Sequence, residues 1–216
     1  MIRRLPATSR IIAVTDKSDS SRNTPFVILA SASPRRQELL GQIGVSFQTV
    51  VPDVDETPRE NESADAFVER LAVEKARNGL LLASELGMTN APVLGADTCI
   101  VFDGEILGKP VDRDHGIAML ARLAGHSHEV LTGVALVDAS REQHAISRNR
   151  VTFAPMTSDE IAAYWDTGEA ADKAGAYGVQ GKAAAYIERI EGSYSGIVGL
   201  PLFEVAGMLK NLGMQL

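Results

Sequence analysis

A mixed α/β domain is what this sequence predicts, and three observations lead there. Short apolar runs bounded by turn residues, at 27–30, 45–51, 92–102 and 126–138, have the length and patterning of strands. Between them lie helical periodicities with recognisable starts: Ser63 ahead of Phe67, Val68 and Leu71; Asp112 ahead of Ile117, Leu120 and Leu123; and a Thr157-Ser158-Asp159-Glu160 capping box. The two kinds of element are interleaved over the whole length, with no internal repeat, coiled coil or low-complexity tract.

Composition narrows the function. The 216 residues are 45% hydrophobic, enough to bury a sizeable core in one large domain or two small ones. A net charge of −7 argues against a nonspecific binder of nucleic-acid polymer and leaves room for a small anionic ligand in a local basic cleft. A single cysteine, Cys99, excludes an intramolecular disulfide and fits a reducing, cytoplasmic setting. No stretch approaches the apolar length of a membrane span. Residues 1–24 carry Arg3, Arg4, Arg10, Lys17 and Arg22 among Ser, Thr and Asp, and read as a poorly ordered extension ahead of a domain spanning 25–216.

The first strand and helix give the strongest local signal. After the apolar run, Ser33 reads as an N-cap and Pro34 as the first helical residue, so a helix N-terminus is delivered at a strand end. Arg35 and Arg36 then fall in the first turn, where the macrodipole is already positive. Either they point into solvent, or an anion is held between the helix end, the serines and both guanidinium forks.

Next, 45–51 alternates as a strand and runs into Asp53, Asp55 and Glu56, carboxylates that either are simply solvated or hold a divalent cation. On the helix after Ser63, the apolar stripe continues from Leu71 onto Lys75, whose ammonium needs a route to water or a buried anion. The run 92–102 is apolar on both sides of Asp97, as in a strand buried on two faces, so its carboxylate requires a metal, a cation or a ligand. Gly95 and Ala96 before it would let a ligand approach the backbone, while Cys99 reads as a core thiol.

Asp103-Gly104 signals a hairpin that returns Lys109 toward Asp97. His126 and His128 share a strand face, a pairing better explained by ordinary hydrogen bonding than by a metal. A further strand is expected at 148–154, and the capping-box helix ends at Gly168. The glycine-rich segment 172–181 suits a loop carrying the Gln180 amide to a ligand base. Residues 183–187 read as a strand or short helix, 190–199 as a flexible loop bearing hydroxyls, and Pro201 starts a last helix ending near Gly213.

Several short motifs occur in one order: Ser-Ala-Ser-Pro-Arg-Arg at 31–36, Asp55-Glu56, Glu74-Lys75-Ala76, Gly95-Ala96-Asp97-Thr98, Gly108-Lys109-Pro110, His128-Glu129-Val130 with Thr132-Gly133, Asp172-Lys173-Ala174-Gly175-Ala176-Tyr177, and Glu191-Gly192-Ser193-Tyr194 with Gly199-Leu200-Pro201-Leu202. From about Val27 to Leu216 the chain thereby resembles the Maf family of nucleoside triphosphate pyrophosphatases. The resemblance implies an inosine-triphosphate-pyrophosphatase-like fold, with an elongated central mixed sheet flanked by helices and two lobes around a cleft, commonly as a homodimer. It also implies cleavage of a nucleoside triphosphate to monophosphate and pyrophosphate with a divalent metal, Mg²⁺ or Mn²⁺.

Carried onto matching positions, the resemblance makes Asp97 the proton acceptor, Ser33, Arg35, Arg36, Lys75 and Lys109 the substrate-binding residues, and Glu56 with Asp97 the metal ligands. Ala96-Asp97-Thr98 and Gln180 resemble the branch acting on dTTP and UTP, with Arg35, Thr98 and Gln180 at its specificity positions. The alternatives are the 7-methyl-GTP branch of the same family and a nucleotide-binding regulator of cell division or septum formation.

Overall fold

A computed structural model of the chain describes residues 26–88 and 91–216. The expected extension over 1–24, and its boundary with the domain, lie outside the described residues. In order, the elements are β1 (Phe26–Ala30), α1 (Pro34–Gln42), β2 (Ser46–Val50), α2 (Ala64–Glu85), β3 (Val93–Phe102), β4 (Glu105–Leu107), α3 (Arg113–Leu123), β5 (Ser127–Val137), β6 (Glu142–Phe153), α4 (Ser158–Trp165), β7 (Ile187–Glu191), α5 (Tyr194–Val198) and α6 (Leu202–Asn211). Short 3₁₀ turns occupy Ala174–Ala176 and Lys182–Ala185.

Among the described residues the seven strands form one mixed sheet, ordered β2-β1-β3-β5-β6-β7 with β4 on β3. β1 pairs in parallel with β2 and β3, and every other pairing is antiparallel. The hairpin after β3 turns at Asp103 (φ 50°) and Gly104 (φ 78°), the left-handed pair of a type I′ turn, which explains why Asp-Gly stands there.

β3 divides the interior. On one face, Leu94 and Ala96 join a core with Leu39 and Leu40 of α1 and Val205 and Leu209 of α6. Further along that face, Ile100 and Phe102 join a second core with Leu120 and Leu123 of α3 and Ile161 and Tyr164 of α4. Thr98 lies between the two cores in sequence along that face and is partly exposed. The opposite face is covered by α2, whose Phe67, Val68 and Leu71 pack on Cys99 and Leu131. Burying each of these three side chains contributes roughly 1.5–3 kcal/mol.

Glycine sets how closely α2 lies on the sheet. A Cβ at Gly95 would collide with the Ala72 carbonyl, and one at Gly133 with the Val68 carbonyl. The expected ligand approach at Gly95 is thus corrected: helix backbone occupies that space. Three further boundaries differ from expectation. β6 begins at Glu142, six residues ahead of the predicted strand, because its first half is mostly half-buried or exposed, with weak alternation in the sequence. Residues 183–187 divide between a 3₁₀ turn and the start of β7. The segment 190–199 is ordered: β7 runs to Glu191, and α5 follows with the Ser193 hydroxyl accepting from Gly196 N–H at 3.0 Å.

Candidate active site

The site forms where β1 stops and β3 continues. Their last aligned pair is Leu29 with Leu94, after which β1 turns through Ser31 into α1 while β3 carries on to Asp97. Such a crevice at the carboxyl end of a parallel strand, beside a helix N-terminus, is a usual ligand position in α/β sheets. Across the sheet, the close seat of α2 on Gly95 and Gly133 brings Lys75 over Asp97.

Lys75 Nζ donates to Asp97 Oδ1 at 2.7 Å and meets Glu56 Oε1 at 2.5 Å. The Lys75 and Asp97 side chains are 12% and 11% exposed, whereas Glu56 is 54% exposed at the mouth. One buried ammonium therefore holds two carboxylates, which answers both the Lys75 and the Asp97 questions posed by the sequence. Partial burial raises the Glu56 carboxyl, but the Lys75 hydrogen bond and charge, with Lys109 and Arg36 further off, outweigh it and leave Glu56 below its ordinary value.

Arg36 is held on neutral oxygens. Its Nε donates to Gly199 O at 2.8 Å, Nη1 to Ser31 Oγ at 3.2 Å and Nη2 to Thr98 Oγ1 at 3.3 Å. Burial lowers its affinity for the proton, and the charges of Asp97 and Glu56 partly restore it. A guanidinium has five N–H donors, so two remain for a ligand. Ser33 is the N-cap by position but its hydroxyl does not cap the helix; its N–H donates instead to Ser31 Oγ at 3.1 Å, which leaves the Ser33 hydroxyl to the cleft edge.

Arg35 makes no hydrogen bond or ion pair among the described residues, and it lies close enough to help hold Asp172 below its ordinary value, after the dominant Lys173 hydrogen bond. Lys109 returns along the hairpin as expected, is exposed, and acts on Glu56 through its charge. Gln180 is exposed and takes no part in the hydrogen-bonded cluster around Thr98, although its neighbour Val179 packs on both cores. The structure thus joins Glu56, Lys75 and Asp97 directly, joins Arg36 to Thr98, and leaves Arg35, Lys109, Ser33 and Gln180 without such contacts.

Of the three clustered acids, only Glu56 reaches this centre. Asp55 Oδ1 accepts from Thr57 N–H at 2.9 Å within its own turn, and the Asp53 carbonyl accepts from the Asn78 amide at 3.4 Å. Among the described residues no group of three or more His, Cys, Asp or Glu side chains is arranged to hold a metal. The Glu56 and Asp97 oxygens do face one another across a single nitrogen. Two hard oxygen donors fit a cation that draws its other ligands from water and phosphate.

Sequence reasoning missed two supports. Arg70 grips Glu62 with Nε and Nη2 at 2.6 and 2.8 Å, reaches Glu74 at 3.3 Å, and donates to the Thr57 carbonyl at 3.2 Å, tying the loop that carries Glu56 to α2. Thr132, Ser147 and Asn149 form a buried polar group under α5. Asn149 Oδ1 accepts from Ser193 N–H at 2.6 Å, and Gly196 has no room for a Cβ against Ser147 and Asn149. The available signal was polar residues at 147 and 149 on the same strand phase as Val151 and Phe153.

Three residues are set aside by their surroundings. Burial pushes the Cys99 thiol up to about 12, with Asp97 and Asp65 adding to it, so it is no nucleophile. His126 Nδ1–H donates to Ala124 O in its own turn, while His128 bonds Tyr177 Oη at 2.7 Å; the two imidazoles do not form a metal pair.

A buried acid paired with a lysine, near a helix start whose arginines have no carboxylate within ion-pair distance among the described residues, defines an α/β protein with an acid and several cations gathered at one strand end. Its sequence places it more narrowly: the model of the family described as Maf-like protein matches residues 26–212, and the chain belongs to that family. It is 53% identical to a dTTP/UTP pyrophosphatase of Alkalilimnicola ehrlichii, over 86% of this chain and 92% of that one. It is 49% identical to a protein of the same name from Aromatoleum aromaticum, over 88% and 97%, and 50% identical to one from Burkholderia thailandensis, over 86% and 92%.

Proposed function

We propose that this protein is a nucleoside triphosphate pyrophosphatase that hydrolyses dTTP and UTP to the monophosphate and pyrophosphate. The observation that carries the reading is Lys75 bridging Asp97 and Glu56 beside three cations, Arg35, Arg36 and Lys109, that have no carboxylate within ion-pair distance among the described residues. The printed names of relatives near 50% identity support the substrate.

A triphosphate entering the cleft meets the two free N–H groups of Arg36, the Arg35 and Lys109 side chains, and the Ser33 hydroxyl. These groups neutralise its charge and align the α–β bridge, which is most of what phosphoryl transfer requires. Water adds to phosphorus as the bridging P–O bond breaks. Its proton passes to Asp97, and the bridging electron pair leaves with pyrophosphate. Lys75, donating to Asp97 Oδ1 at 2.7 Å, holds that carboxylate in place for the transfer. Glu56 and Asp97 would hold Mg²⁺ or Mn²⁺, which supplies charge neutralisation at the phosphates when bound. The proposal includes a homodimer acting in the cytoplasm, to be checked by sedimentation and by cell fractionation.

The experiment is pyrophosphate release from a nucleotide panel with Mg²⁺ or Mn²⁺. Turnover of dTTP and UTP above the purines is expected, and Asp97→Asn is expected to lower it by about 10²–10⁴-fold while nucleotide still binds. Equal rates on purines, or none on dTTP and UTP, overturns the substrate. Preference for 7-methyl-GTP would select the other branch, and nucleotide binding without turnover would select the regulator of division.

A further inference from the structure

Thr98 is the partly exposed residue at the middle of β3, level with Arg36 and open to the cleft, and its hydroxyl belongs to a relay whose proton directions can be assigned. Thr132 Oγ1 lies 2.8 Å from Gly196 O, and a carbonyl only accepts, so the single Thr132 proton is committed there. Thr98 Oγ1 lies 2.9 Å from Thr132 Oγ1, its cross-strand partner, and Thr98 must therefore supply the proton in that bond. At the other end, Arg36 Nη2 can only donate to Thr98 Oγ1. The order is fixed: Arg36 to Thr98 to Thr132 to Gly196. Thr98 has given its proton away and used one lone pair. What it can still offer a ligand is one acceptor site and no donor.

We propose that Thr132, which sits fully buried behind the cleft, is a specificity-determining positioning residue: by taking the Thr98 proton it makes Thr98 an acceptor-only contact that admits a substrate N–H or O–H and repels a substrate acceptor. The assignment rests on the dTTP/UTP reading. An ionised phosphate has no proton to give and gains nothing from Thr98, so the contact belongs to the nucleoside part of the ligand. There the imide N3–H of thymine or uracil and the 3′-hydroxyl are both donors, whereas N3 of cytosine is an acceptor. Gly196 completes the device. A Cβ there would strike Ser147 Oγ, so glycine is what lets its carbonyl reach Thr132.

The test compares wild type, Thr132→Val and Thr132→Ser on dTTP, dCTP, N3-methyl-dTTP and 3′-deoxy-dTTP, reading kcat and KM separately. Valine keeps the shape and removes the acceptor, freeing Thr98 to turn its proton toward the ligand. The expected result is a dTTP-over-dCTP preference narrowed about tenfold in kcat/KM, mainly through KM, and restored by Thr132→Ser. The N3-methyl-dTTP penalty is expected to shrink in Thr132→Val, which assigns the donor to the base; a penalty that shrinks for 3′-deoxy-dTTP alone, with the dTTP-over-dCTP ratio unmoved, overturns that selectivity. If thermal melting shows Thr132→Val unfolded, Thr98→Val is run on the same panel and must narrow the same ratio. A uniform loss on all four nucleotides, or Thr132→Ser behaving like valine, overturns the proposal. A wild-type enzyme inactive on every pyrimidine triphosphate would instead overturn the substrate assignment on which it rests.

Discussion

Lowering the pH through the range below neutrality tests the buried imidazole of His128. The residue is 2% exposed; its Nε2 bonds Tyr177 Oη at 2.7 Å, its Nδ1 has no hydrogen-bond partner, and the rings of Phe153 and Tyr177 pack at 5.7 and 5.4 Å. Burial lowers its pKa from 6.5 to about 4, while burial pushes the Tyr177 phenol up, so neither partner is charged in the folded protein at neutral pH. In the unfolded chain His128 takes up its proton near 6.5; between there and about 4 the unfolded state binds more protons, and stability falls as pH falls. The contribution is complete above 6.5 and exhausted below 4. At about 1.4 kcal/mol per pH unit, the loss over this window comes to about 3.5 kcal/mol.

Urea unfolding of wild type and His128→Gln at pH 7, 5.5 and 4.5 isolates this term, since carboxylates common to both proteins cancel in the difference. The variant is expected to be less stable at pH 7 and to converge on wild type as the pH drops. An unchanged gap across the series, or an imidazole resonance that titrates near 6.5 in the folded protein, would refute the reasoning. The consequence for the cleft is local: the His128–Tyr177 bond fastens the segment 172–181, with Gln180, to β5.

Two further outcomes follow from the seat of α2. Gly133→Ala places a methyl against the Val68 carbonyl, which is helix backbone and cannot rotate away. A cost of about 1–3 kcal/mol is expected, lowering Tm by roughly 2–4 °C per kcal/mol in calorimetry, with activity falling as Lys75 shifts off Asp97. A fully stable, fully active variant would contradict the close contact. Arg70→Met releases Glu62, whose carboxyl is held down to about 2, first by the Arg70 hydrogen bond, and frees the loop bearing Glu56. Its kcat/KM should drop by about tenfold or more and the Glu62 carboxyl should titrate near its ordinary value, and an unaltered rate would show that the loop needs no such clamp.

Where local chemistry decides, the sequence was readable. Ser63, Asp112 and Thr157 each accept the backbone N–H that a cap should, and Asp103-Gly104 makes its turn, because these signals act within three residues. The site itself spans chain separations of 22 residues for Lys75 with Asp97, 62 for Arg36 with Thr98 and 163 for Arg36 with Gly199. Composition and spacing identified Lys75 and Asp97 as groups in need of partners without saying that each is the other's. Gly95 shows the same limit from the opposite side. Its missing side chain announces that something comes close, and a ligand and a helix make equal claims on that space until the register of β3 with β5 sets Gly95 and Gly133 together under α2. Thr132 was hidden for a related reason: a threonine in an apolar strand is unremarkable until the strand beside it supplies Thr98 and α5 supplies a carbonyl. Where polar residues fall on the buried phase of a strand, as at 132, 147 and 149, the useful question is therefore which later segment must come back to satisfy them. Here that segment is 193–199, which meets Thr132 and Asn149 and whose Gly199 carbonyl also accepts from Arg36 Nε.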